Sequence, residues 1–101
     1  MSLPRTRLSE SELTTALAGR PGWTVEEGML TRTFTFSAYA SGALFACGVM
    51  QTAEVMDHHP DVLVTYGRVK VSTSTHDADG LTALDFELAR RTDALDRGSA
   101  S

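Results

Sequence analysis

The sequence predicts an α+β fold: a two-layer domain in the order α-β-β-α-β-β-α, with a four-stranded antiparallel sheet and its helices packed on one face. Three observations lead there. Two patterns of the capping-box type, Ser9 to Glu12 and Thr82 to Asp85, mark helix starts near either end of the chain. Two segments rich in β-branched and aromatic residues precede and follow the middle of the chain, each folded back on itself around a glycine. Between them lies a long run with small and apolar residues at helical spacing.

The first helix begins at Ser9, because the Ser9 hydroxyl and the Glu12 carboxylate can satisfy backbone donors that a first helical turn leaves free. Leu13 and Leu17 share its inner face, and Gly19 with Pro21 stops it. Trp23 to Val25 reads as a strand, Glu26-Glu27-Gly28 as a turn, and Met29 to Phe36 as the returning strand. In that second strand Leu30, Phe34 and Phe36 share one parity and Thr31, Thr33 and Thr35 the other, so only one face needs covering. The middle helix is expected to start with Ser37 as N-cap, to bury a stripe of Ala40, Ala43, Leu44, Cys47, Met50 and Val55, and to end at Pro60. Asp61 to Tyr66 and Val69 to Thr75 form the second hairpin around Gly67-Arg68. Thr82 caps the last helix, with Leu81, Leu84, Leu88 and Leu95 on its buried side.

A chain of 101 residues, 42% of them hydrophobic, fits one domain over 1–101 with frayed ends at about 1–7 and 97–101. A net charge of −4 argues against nucleic acid and anionic membrane surfaces as partners, since both call for a basic face. The single cysteine, Cys47, allows no intrachain disulfide, and no segment approaches the roughly 20 apolar residues of a membrane span. A cytoplasmic protein is expected.

All three histidines, His58, His59 and His76, lie in one stretch after Glu54. Imidazole exchanges protons near neutral pH, so a local trio points to acid–base chemistry. Glu54 and His58 are four positions apart, a spacing at which a helical carboxylate can orient an imidazole. A hairpin can return His76 to the helix end, so that one substrate touches all three, with Asp57 and Asp85 near in sequence. A zinc site is the weaker enzyme reading, because adjacent helical histidines diverge whereas helical metal ligands sit three or four apart.

These residues resemble the pterin-4a-carbinolamine dehydratases. The family pattern of an acidic residue, three intervening positions, His-His-Pro, an aromatic, a later histidine and a later aspartate is matched by Glu54, His58, His59, Pro60, Tyr66, His76 and Asp85. The likeness extends to Gly22-Trp23, Gly28, Phe34-Thr-Phe36, Ala53-Glu54, Ser74-Thr75-His76 and Gly80-Leu81. It implies dehydration of 4a-hydroxytetrahydropterin to quinonoid dihydropterin, in recycling of the tetrahydropterin used by aromatic amino-acid hydroxylases, with no metal or organic cofactor. By the same resemblance His58 and His76 are the acid and base. His59, Pro60, Glu54, Asp57, Ser74, Thr75 and Asp85 would then hold the substrate.

The resemblance also implies a homodimer or homotetramer, and the mammalian members moonlight as dimerisation partners of a homeodomain transcription factor. Two positions depart from the family pattern, Val62 where a tryptophan is common and Leu84 where a basic residue is common. The competing reading is a dehydratase-like scaffold that serves as a dimeric binding or assembly module, and the retention of all three histidines favours the enzyme. Asp85 has a rival role as well, since its place after Thr82 is what a helix cap requires.

Overall fold

The computed structural model describes residues 3–96, and its elements follow the expected order of three helices and four strands. Helix α1 (Glu10–Ala18) starts in the capping box: Glu12 N–H donates to Ser9 Oγ at 3.2 Å and Ser9 N–H to Glu12 Oε1 at 2.8 Å. Strands β1 (Thr24–Glu26) and β2 (Met29–Thr35) form the first hairpin, whose two turn residues, Glu27 and Gly28, both have positive φ (52° and 77°). That pair of left-handed residues gives the turn a twist matching the strands it joins. Helix α2 (Tyr39–Met56) leads to β3 (Asp61–Thr65), β4 (Arg68–Thr73), a 3-10 turn (His76–Ala78) and helix α3 (Ala83–Leu95).

The sheet order is β1-β2-β4-β3, antiparallel throughout, with Leu30 opposite Thr73 and Phe34 opposite Val69. Parity decides what each face meets. Leu30, Phe34, Val69 and Val71 are buried beneath the helices, where they join Phe45, Ala46 and Val49 of α2 and Ala89 of α3. Each such large side chain contributes about 1.5–3 kcal/mol by leaving water. The other face is polar, with Lys70 against Glu26 at 3.5 Å and the Thr31 hydroxyl on Ser72 at 3.3 Å.

Arg32 shares the inward parity of Leu30 and Phe34, and its guanidinium lies 4.4 Å from the Phe34 ring centre. It is matched by a carboxylate on α3: Asp93 accepts from Arg32 Nη1 at 2.8 Å, Trp23 Nε1 at 2.9 Å and Arg20 Nη1 at 3.0 Å. One side chain thus ties the first hairpin and the end of α1 to the last helix.

Helix α2 corrects the sequence reading at three points. Ala38, not Ser37, is the N-cap, with no side-chain capping bond. The buried residues are Gly42, Phe45, Ala46, Val49 and Ala53, so the expected stripe lies on the wrong side: Leu44 is 74% and Val55 81% exposed, and Cys47 and Met50 are exposed too. Gly42 packs closely on the inner face, where a Cβ would stand 3.3 Å from Val69. The helix also ends before Pro60, at Asp57, whose left-handed backbone (φ 52°) lets its own N–H and that of His58 return to the last carbonyls. An aspartate accepts that conformation more readily than most residues.

Smaller corrections follow the same logic. Leu95 is exposed rather than buried, and β4 stops at Thr73, two residues short of the expected end. Next to the end expected to fray at about 1–7, Leu8 N–H donates to the Leu81 carbonyl at 2.8 Å, and within that end Arg5 pairs with Asp77 at 3.5 Å. Arg7 lies over Gly80, where any Cβ would come within 2.9 Å of its Nε. The expected frayed tail at 97–101 lies outside the described residues. No described helix is long and apolar enough to cross a membrane.

On α3 the Glu87 carboxylate accepts from Arg90 and Arg91, which lower its pKa from 4.5 to about 2, with the Arg90 hydrogen bond the larger cause. Because the folded value is depressed, the stabilisation from this pairing is complete above 4.5 and fades as pH falls toward 2. A carboxyl-carbon NMR titration is expected to show Glu87 with the low midpoint. A midpoint near 4.5 would mean the pairing does not persist in solution.

Candidate active site

The left-handed turn at Asp57 decides where the histidines go. Had the helix continued, His58 would have stacked one turn above Glu54. With the helix ended early, His58 turns inward and His59 falls beside Glu54 instead, its Nε2 2.8 Å from Glu54 Oε1. Both partners of that pair are exposed, and Glu54 meets His59 rather than the expected His58.

His58 is buried, with 7% exposure, and its Nε2 lies 2.7 Å from Asp85 Oδ1. Asp85 is fully buried and receives three further hydrogen bonds. The Thr73 hydroxyl donates to Oδ1 at 2.7 Å, the Thr75 hydroxyl to Oδ2 at 2.7 Å and the Thr82 N–H to Oδ2 at 3.0 Å. Burying a carboxylate is costly unless its lone pairs are taken up, and here each oxygen has two donors. Asp85 therefore serves α3 and the site at once: it completes the capping box, in which Thr82 Oγ1 accepts from Leu84 N–H at 3.2 Å, and it holds His58. With no exposed surface, Asp85 has no direct access to a substrate.

β4 delivers two members of this network. Val69, Val71 and Thr73 alternate onto the inner face, and Thr75 is buried beyond the strand end, so the same parity that fills the core ends in two hydroxyls under Asp85. Thr73 escaped the sequence reading. Its signal was present, as a β-branched polar residue at the end of an inward-facing apolar series.

His76 opens the 3-10 turn after β4 and is exposed. It lines a cleft of ≈ 590 Å³ together with Ser74, Thr75, Arg7, Asp79 and Gly80. The cleft lies between that turn, the start of α1 and the first hairpin, and His58 and His59 do not line it. Asp57 caps α2, and Pro60 is half-buried just before β3. The expected residues thus fall into three neighbouring groups: the buried His58–Asp85–Thr75 network, the exposed His59–Glu54 pair, and the cleft of Ser74 and His76. Among the described residues no three His, Cys, Asp or Glu side chains gather as metal ligands.

Comparison with known proteins places nearly the whole chain. A family model described as pterin 4 alpha carbinolamine dehydratase matches residues 6–95. A Solibacter usitatus protein that carries the provisional name pterin-4-alpha-carbinolamine dehydratase is 43% identical over 93 residues, covering 92% of this chain and 98% of its own. A Metallosphaera sedula protein with the same provisional name is 42% identical, covering 90% and 95%. A crystal structure from Brucella melitensis, described as a transcriptional coactivator/pterin dehydratase, superposes with a TM-score of 0.84 at 36% identity and covers 89% of this chain and 98% of its own. With the family model matching residues 6–95, and with relatives over 40% identical and a solved structure of the same fold covering nearly the whole length, the chain belongs to the pterin-4a-carbinolamine dehydratase family.

Proposed function

We propose that this protein is a 4a-hydroxytetrahydropterin dehydratase that uses histidine acid–base catalysis to form quinonoid dihydropterin and water. The observation that carries the reading is the gathering of imidazoles at one end of the sheet, two of them with Nε2 held by a carboxylate. The reaction is redox-neutral. One group protonates the C4a hydroxyl as the C–O bond breaks, while another accepts the N5 proton and the N–H electrons form the C4a=N5 bond. Two proton carriers at neutral pH suffice for this, and positioned acids and bases of this kind contribute about 100- to 10,000-fold in rate. His76 on the cleft and His58, linked to the cleft residue Thr75 through Asp85, are the candidates, with His59, Glu54, Asp57, Pro60, Ser74 and Thr75 shaping the substrate's surroundings. The reading extends to tetrahydropterin recycling in the cytoplasm.

The purified protein is expected to accelerate the decay of enzymatically generated 4a-hydroxytetrahydropterin, followed by absorbance. Equal decay with and without it would refute the dehydratase reading and favour a binding or assembly module, the alternative supported by the coactivator description of the Brucella melitensis relative.

We also propose that the chain self-associates through the outer face of α2. Leu44, Cys47, Met50 and Val55 make that face apolar over much of the helix length, and such contiguous patches mark interaction sites. A homodimer or homotetramer is expected by light scattering, and Leu44→Glu with Val55→Glu is expected to convert it to monomer. A monomeric wild type, or an unchanged assembly in the double variant, would refute this interface.

A further inference from the structure

The hydrogen-bond network around Asp85 fixes the position of every proton in it. The Thr75 hydroxyl gives its one hydrogen to Asp85 Oδ2, so the 2.8 Å contact between the Thr75 and Thr82 hydroxyls has Thr82 as donor. Thr82 Oγ1 in turn accepts from Leu84 N–H. The Thr73 hydroxyl gives its hydrogen to Oδ1, so its oxygen, 3.2 Å from His58 Nε2, can only accept. His58 Nε2 consequently faces two acceptors, Asp85 Oδ1 and Thr73 Oγ1. A bare nitrogen there would set its lone pair against theirs, so Nε2 carries hydrogen. Nδ1 has no hydrogen-bond partner among the described residues, and the side chain keeps 7% of its surface exposed.

We propose that Asp85 is a positioning residue: it locks His58 in the Nε2–H tautomer and thereby makes Nδ1 the atom through which this histidine exchanges protons in the dehydration, a role that rests on the dehydratase reading. The substrate-holding role that the family resemblance implies for Asp85 is replaced by one exerted through His58. The same device recurs on the surface, where Glu54 holds His59 by Nε2, whereas His76 has no side-chain hydrogen bond among the described residues. Two imidazoles are thus committed to one tautomer and the third is free to take either.

Asp85→Asn inverts the lock for a definite reason. Thr82 N–H is an obligate donor and holds the amide oxygen on its side, which turns the amide NH2 toward Thr73 and His58. The Thr73 hydroxyl can rotate to accept, and His58 can accept only by shifting its hydrogen to Nδ1. Carboxylate-to-amide changes of this type, which leave geometry intact but install the wrong tautomer, are known to reduce turnover by orders of magnitude.

The test is a long-range proton–nitrogen correlation spectrum of the 15N-labelled protein at mildly alkaline pH, which reports which ring nitrogen bears hydrogen. Wild type is expected to show His58 with Nε2–H and bare Nδ1, and Asp85→Asn with the reverse and a dehydration rate lower by about 100-fold or more. A wild-type His58 with hydrogen on Nδ1 overturns the proposal, as does an Asp85→Asn protein that keeps both tautomer and rate. Should that variant not fold, Thr73→Val removes one acceptor and leaves Asp85 in place, so retention of Nε2–H supports the lock and its loss overturns Asp85 as the determinant. Wild type with the expected tautomer but no dehydration would sink the dehydratase reading while leaving the lock intact.

Discussion

Replacing His76 with alanine is expected to slow dehydration about 100- to 10,000-fold and to leave folding stability within about 0.5 kcal/mol of wild type. Both halves follow from its position. His76 is exposed at the start of a short 3-10 turn and makes no side-chain hydrogen bond among the described residues, so truncation removes little that holds the fold. It also lines the cleft next to Ser74 and Thr75, where its imidazole can meet a bound substrate. Paired measurements of rate and thermal unfolding would separate the two effects. An unchanged rate would remove His76 from the chemistry, and a large stability loss would make any rate loss uninterpretable.

His58→Ala is the less informative experiment, although its rate loss is expected to be similar. His58 is buried and fills one of the four donor positions on Asp85, so its removal leaves a buried carboxylate short of a partner. Activity and stability would fall together. Exposure, not sequence motif, makes His76 the cleaner probe.

Much of the fold was legible because its signals are local. The capping boxes at Ser9 and Thr82, the glycine turns and the parity of Leu30, Phe34 and Phe36 need no partner to be recognised. Helix α2 was misread for a physical reason. It carries apolar or small residues almost all round, so period 3.6 is satisfied by two stripes, and only the sheet shows that Phe45, Ala46 and Val49 face inward and Leu44, Cys47 and Val55 outward. The departure of His58 from Glu54 depended on one residue, Asp57, taking a left-handed backbone three residues before the proline that had been expected to end the helix. The Asp93 cluster joins residues about 60 to 70 positions apart, a distance over which no local pattern operates. The site was legible as a set of residues but not as a set of partnerships. Glu54 and Asp85 were both marked as acidic companions of the histidines, yet which carboxylate meets which imidazole follows from the turn at Asp57 and from the β4 parity that sets Thr73 and Thr75 under α3.

Those partnerships give the largest expected effect on stability. Asp85→Ala is expected to destabilise the fold by about 3–5 kcal/mol, the range for breaking a buried charged network by removing one partner. The change strips acceptors from the Thr73 and Thr75 hydroxyls, the Thr82 N–H and His58 Nε2 in a single step, and none of these is exposed to solvent enough to replace them freely with water. It also halves the capping box of α3, for which about 1 kcal/mol is typical. Three of the four losses can be softened, since the two hydroxyls rotate and the imidazole can shift its hydrogen, whereas the Thr82 N–H cannot. The cost therefore falls toward the lower end of the range if the pocket rehydrates and the upper end if it stays dry. Against a typical domain stability of about 5–15 kcal/mol, the variant should remain folded at low temperature and lose most of its margin on warming. Urea unfolding followed by tryptophan fluorescence would report it through Trp23, which is buried in the core and bonded to α3 through Asp93. A loss under about 1 kcal/mol would show that the network is not the internal strut that its geometry describes.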